Sequence, residues 1–454
     1  SATWPQPNIT DTLTVRAYAS LAGGVGAMMQ VRVNGVQVAQ AQVDTTEPTD
    51  YELGVPALTP GSLVDIVFNN DATIGTASRS LYVVQATSGA TAFVPNATNS
   101  RIDRGLGAAA FDDVDVLPGA AGMPWNAALR LTWPEPNLPH QITVRASGMP
   151  ANGEAPRMLV RVDGTVVGSA EVTSINPADY VFPAPAYTAG SKVDVAFTNA
   201  GTTPDGTART LNLHYLIGGT TVMRPTDAGM RFDAGTGLAA YDWANMSSAQ
   251  VSLTTNGALR GTWPSPNMTD RLTVRASGTL AAGVGPVAQI LADGVLLGTY
   301  EFRSTTPTDI TLPVLPLKPG QRIEVRPINL GTFEGVARSF NVAYAISGTT
   351  VLQANAASVD AFWPAPNLTD TLSIRARGKA AGGVWPTMQV LVDGILVGAA
   401  EVRSSVFADY RFAVPSMAAG RKVDIVYTND AMVNGEDRNL YLAYITTSNT
   451  VLLP

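Results

Sequence analysis

The chain is 454 residues long, enough for about three to five domains of roughly 100–150 residues each. Its net charge is −7 and only 14% of its residues are charged, which argues against nucleic acid and against anionic membrane surfaces as partners. It has no cysteine, hence neither a disulfide frame nor a thiolate metal site, and no apolar run approaches the ~18–20 residues that a membrane span needs.

The 42 glycines and 31 prolines suit short strands joined by many turns. The chain opens on Ser1, directly before a repeat, as expected of a mature or excised segment from which any signal peptide is gone. The first landmark is Trp4-Pro5-Gln6-Pro7-Asn8. It recurs as Trp133-Pro134-Glu135-Pro136-Asn137, as Trp263-Pro264-Ser265-Pro266-Asn267 and as Trp363-Pro364-Ala365-Pro366-Asn367. Repeats at this spacing are domain-sized units. They predict modules over residues 1–130, 131–260, 261–360 and 361–454. The four tryptophans stand in every copy and are expected to anchor the first strand of each module.

Each copy then shows period-2 alternation and a two-residue turn. The turns are Asn34-Gly35, Asp163-Gly164, Asp293-Gly294 and Asp393-Gly394, which favour type I′ hairpins because both central residues need positive φ. In the fourth copy, residues 371–377, 388–392, 395–397, 409–412, 422–427 and 440–445 predict strands. No stretch has helical periodicity. The expected fold is all-β: four tandem β-sandwich modules, jelly-roll-like.

Copies one and two carry an extra segment after the last predicted strand. Ile102-Asp103, Phe111-Asp112 and Ala128-Leu129-Arg130 correspond to Phe232-Asp233, Tyr241-Asp242 and Ala258-Leu259-Arg260. A disordered linker would not repeat these positions, so ordered packing between modules is expected. Between copies three and four the segment is missing.

The loop before the final strand separates the copies. Asn70, Asn199, Asn329 and Asn429 open it, and Arg79, Arg209, Arg338 and Arg438 close it. An arginine present with or without nearby acids suits a structural role, tying the loop to the sheet. The carboxylates vary. Copy four has Asp430, Glu436 and Asp437, copy one keeps Asp71, and copies two and three have none at those positions; Asp205 and Glu334 sit elsewhere in the loop. A hard cation such as Ca²⁺ takes six to eight oxygen ligands. Asp430 and Asp437, with backbone carbonyls around residues 431–435, are a candidate set; the alternative is ordinary solvated loop acids. Trp385 stands where the other copies have Gly26, Ala155 and Gly285. It reads either as a platform for a sugar ring or as local packing.

The fourth copy resembles a known family. Ile374 to Gly378, Gly383-Val384-Trp385-Pro386, Met388 to Gly394, and above all Tyr427-Thr428-Asn429-Asp430 with Asp437-Arg438-Asn439-Leu440-Tyr441 are similar to the calcium-dependent xylan-binding carbohydrate-binding modules, family 60, related to family 36. The resemblance implies a small β-sandwich whose Ca²⁺ coordinates sugar hydroxyls directly. It implies Asp430 and Asp437 as metal ligands, with Glu436 beside them. Trp385 and Asn439 become sugar-contacting candidates, and Asp71 a partial metal site in module 1. It implies the fold in all four copies and the calcium site in copy four alone.

His140 and His214 have no partner motif, and no nucleophile–base pair or phosphate loop is visible, so a non-catalytic protein is expected. The Asn8, Asn267 and Asn367 sequons belong to the repeated turn. Two functions follow as expectations. One is a secreted array, extracellular or at the cell surface, gripping a xylan-like or other polysaccharide through Ca²⁺ in module 4. The other is a structural extracellular protein (filament, surface array or adhesin rod) whose modules associate head to tail.

Overall fold

A computed structural model of the chain describes residues 8–447 and 450–453. Two compact units divide it, residues 1–266 and 267–454, and each holds two sandwiches. Among the described residues the structure is all-β apart from two short 3₁₀ turns, Gly107–Phe111 and Gly237–Tyr241. Among the described residues no helix is long and apolar enough to cross a membrane.

The first sandwich shows how alternation builds the core. Along Asp11–Ser20 the side chains of Leu13, Val15, Ala17 and Ala19 are buried while their neighbours face outward, and Ala27, Met29, Val31 and Val33 do the same along Ala27–Val33. These inner faces meet in one core. The turn chemistry matches the sequence. Asn34, Asp163, Asp293 and Asp393 have φ of 47–49°, and the glycine after each has φ of 78–83°.

Each sandwich has one sheet in the order fourth strand, first strand, last long strand: Thr49–Val55, Asp11–Ser20 and Ser80–Ser88 in the first, Ala408–Val414, Asp370–Lys379 and Asn439–Thr446 in the fourth. The opposing sheet pairs the turn hairpin with a third strand. That strand is Leu63–Phe68, Lys192–Phe197, Arg322–Pro327 or Val423–Tyr427. All the pairings are antiparallel.

Two expectations change here. The extra segment of copies one and two does more than pack between modules, although in copy two Gly237 does lie against the Glu47 carboxylate of the first sandwich. It supplies strands to its own sandwich, widening one sheet to six strands in the order Val116–Pro118, Ser100–Arg104, Ala127–Thr132, Leu63–Phe68, Ala27–Val33, Val36–Val43. The recurring acids and aromatics surround an arginine. Buried Arg260 is held by Asp194 and Asp233 at 2.9 Å each, with the Tyr241 ring centroid 5.7 Å from its guanidinium, as Phe111 lies 5.6 Å from that of Arg130. Arg130 meets Asp65, Asp103 and Asp113 in the same way. A guanidinium buried under a sheet needs such partners, so the positions repeat together.

The second change concerns the tryptophans. Trp133, Trp263 and Trp363 do not anchor the strand that follows them. Each lies in the core of the sandwich that precedes it. We therefore place the module boundaries just after these tryptophans. Trp4 lies outside the described residues.

Candidate functional site

The variable loop is a hairpin in the fourth sandwich. Met432–Val433 pairs with Glu436–Asp437 across Asn434 and Gly435, whose φ values of 53° and 81° make the tight turn. The Ala431 carbonyl accepts from the Arg438 N–H at 3.0 Å, closing the base.

Arg438 is buried, and its guanidinium donates to three backbone carbonyls. Nε donates to Val384 O at 3.0 Å, Nη1 to Asn429 O at 2.6 Å and Nη2 to Ala381 O at 3.1 Å. Arg79, Arg209 and Arg338 donate to the three equivalent carbonyls of their own sandwiches. Asn429 accepts from the Thr387 N–H and donates to Trp385 O, a pattern that Asn70, Asn199 and Asn329 repeat. The Asn–Arg pair is thus a clamp joining this loop to the glycine-rich turn beside it. It needs no acid, which is why it persists where the acids do not.

On this clamp the fourth copy mounts its carboxylates. The Tyr427 hydroxyl donates to Arg438 O at 2.6 Å. Burial pushes its phenol above the usual range, the Asp430 carboxylate adds to the shift, and Asp437 acts in the same direction against Arg438. Asp430 and Asp437, seven positions apart in sequence, therefore bear on one phenol. Asp430 is exposed and Asp437 half-buried. Asn439 donates to the Asp437 carboxylate at 2.9 Å, which orients it. Glu436 is exposed and turns elsewhere, accepting from the Gly382 N–H at 3.1 Å. Trp385 is half-buried, between the two readings of its indole.

Among the described residues no three acidic, histidine or cysteine side chains converge as a metal-holding group. The donor set at Asp430 and Asp437 is nonetheless all oxygen, the chemistry a hard cation takes. Elsewhere the loop lacks it. In the first sandwich Asp71 is exposed and Ser78 replaces the second acid, its hydroxyl 3.0 Å from that of Thr73. In the second, Asp205 caps its own turn, accepting from the Thr207 N–H. In the third, Glu334 is a turn residue at φ 52°.

His214 Nε2 lies 3.2 Å from Ser147 Oγ, but its neighbouring charge is Arg145, which with burial keeps the imidazole below its usual value. A serine–histidine relay needs an acid in that place. Sequence reading missed one feature, a cleft of about 830 Å³ between the first and second sandwiches. Two ion pairs cross its lining, Arg16 with Asp50 at 2.8 Å and Arg157 with Glu171 at 2.9 Å, and Glu47 and Glu52 line it as well. It depends on two modules meeting, which no motif announces.

A family model described as a Ca-dependent, xylan-binding carbohydrate-binding module, CBM60, matches residues 12–100, 141–232 and 371–454. These fall in the first, second and fourth copies. No curated protein matches the chain. One similar solved structure, vCBM60 in complex with galactobiose, is 23% identical over 27% of this chain and 98% of its own, with a TM-score of 0.20. With more than half of its residues matched in three separate copies, the chain belongs to the CBM60 family of carbohydrate-binding modules.

Proposed function

We propose that this carbohydrate-binding protein is a secreted, non-catalytic array that holds a xylan-like polysaccharide through Ca²⁺ in its fourth sandwich. The observation that carries this reading is that only the fourth copy has both acids, Asp430 and Asp437, on this loop, with Asn439 donating to the Asp437 carboxylate. Those two carboxylates would hold the ion; when bound, it supplies open coordination positions for vicinal sugar hydroxyls. The chain's own residues do the rest. The Asn429–Arg438 clamp fixes the base of the hairpin, and Asn439 orients Asp437. Trp385 stands on the adjoining turn, tied to the clamp through its carbonyl, and its half-buried indole would stack against a sugar ring. The test is retention of the full chain on immobilised xylan and related glycans, with calcium and with a chelator. Calcium-dependent retention that Asp430→Ala abolishes is the expected result; retention unchanged by chelation or by that substitution would overturn the reading.

A further inference from the structure

Three times the chain closes a sandwich with the strand that runs into Trp-Pro-x-Pro-Asn. Ala127–Thr132 lies along Leu63–Phe68, Gly257–Thr262 along Lys192–Phe197, and Val359–Phe362 along Arg322–Pro327. The tryptophan then enters the same core, with only 2–3% of its surface exposed. Its backbone clamps the turn below. Trp133 donates to Ser62 O and accepts from Gly61 N–H; Trp263 does so with Ser191 and Gly190, and Trp363 with Gln321 and Gly320. The asparagine finishes the seal. Asn137 pairs in both directions with the backbone of Ala92, and Asn367 with that of Val351. The next residue, Leu138 or Leu368, is buried.

The fourth sandwich has none of these parts among the described residues. Among the described residues Val423–Tyr427 is the open edge of a three-stranded sheet. Its residues are half-buried or exposed, whereas the interior residues of Leu63–Phe68 and Lys192–Phe197 are buried throughout. Leu440 and Leu442 are half-buried where Leu81 and Val83 are fully covered. No tryptophan stands in this core. Val451 is 63% exposed, while Val351, at the same place in the third sandwich, is 3% exposed. An open edge beside an uncovered core is a template for an added strand.

A fourth copy of these parts stands at the start of the sequence. Thr3-Trp4-Pro5-Gln6-Pro7-Asn8-Ile9 repeats Thr132-Trp133-Pro134-Glu135-Pro136-Asn137-Leu138. Residues 1–7 lie outside the described residues, but Asn8 and Ile9 do not, and Ile9 is 50% exposed where Leu138 and Leu368 are 4% and 6% exposed.

We propose that residues 1–9 of one copy complete the fourth sandwich of a second copy, joining chains head to tail. The internal registers set the pairing. Thr3 falls opposite Lys422 and Ala2 opposite Val423, as Thr132 does opposite Leu63 and Leu131 opposite Val64. Trp4 enters the core above Gly420 and Arg421, the positions of Gly320 and Gln321. Asn8 pairs with Val451. Ile9 covers Tyr444 and Val451, as Leu368 packs with Tyr344 and Val351. A second contact follows from the same repeat. Tyr344 accepts from the Leu396 N–H at 3.0 Å, and Gln85 pairs with both backbone groups of Val166; Tyr444 is placed to meet the Gln37 N–H of the donor copy in the same way. Donor and acceptor are different surfaces, so the contact is heterologous and propagates into a filament or closes into a ring.

The absence of cysteine makes the register testable. Thr3→Cys with Lys422→Cys in the full chain, mildly oxidised, is expected to yield a ladder of covalent oligomers on a denaturing gel. Loss of the ladder with Trp4→Ala added is expected too. The unmodified chain is expected to gain mass with concentration by light scattering, and a peptide of residues 1–9 in excess to cap that growth, which keeps the proposal testable if a variant fails to fold. A bridged monomer, a mass independent of concentration, or growth that the peptide leaves unchanged would overturn it.

Discussion

Trp363 donates its backbone N–H to the Gln321 carbonyl at 2.7 Å and buries its indole in the core of the third sandwich, although the motif it begins leads into the fourth. Truncation there acts backwards along the chain. Trp363→Ala is expected to cost about 3–5 kcal/mol, the usual range for a buried aromatic. The loss should fall on the third sandwich. Hydrogen exchange should accelerate along Arg322–Pro327 and Val359–Phe362 while Thr387–Val392 keeps its protection.

The arginine clamp sets a second expectation. Arg209→Ala strips the donors from the Glu154, Asn199 and Ala151 carbonyls and leaves Glu154 without its ion pair. A loss of about 3 kcal/mol in the second sandwich should follow, seen as a lower unfolding midpoint in denaturant. Arg209→Lys should recover little, because an ammonium cannot reach three carbonyls in a fixed fork.

At the hairpin of the fourth sandwich, Asp430→Ala and Asp437→Asn should each abolish or sharply weaken calcium binding, since each removes one of two anionic ligands. Glu436→Gln should change it far less, its carboxylate being directed to Gly382. Titration calorimetry of the three variants checks both statements. Equal affinity in Asp430→Ala and in the unmodified chain would refute the assignment.

Trp385→Ala should weaken glycan retention by about fivefold, corresponding to about 1 kcal/mol for one lost ring contact. Its fold should survive, because the other copies carry glycine or alanine at this place. Affinity electrophoresis in xylan-containing gels, alongside an unfolding curve, separates the two effects.

Sequence alone determined what depends on neighbours along the chain. Alternating apolar residues decided which face of each strand is buried, and Asn/Asp-Gly pairs decided the hairpins, because φ preference is local. The Asn–Arg pairing of the loop was legible as a repeat, and the Asp430–Asp437 pair as a departure from it. Tertiary structure alone decided where each sandwich ends. Ala127 pairs with Phe68, and backbone hydrogen bonds carry no side-chain code for such a distant partner. The repeat frame therefore put Trp133 with the strand after it, while the sheet put it with the strand before. The hairpin likewise decided that Glu436 turns to Gly382 and not to Asp430, because that choice depends on which turn lies alongside. Among the described residues the fourth sandwich shows one uncovered edge, and a further copy of the sealing sequence stands at residues 3–9. Both are visible only once the three filled edges between them are seen.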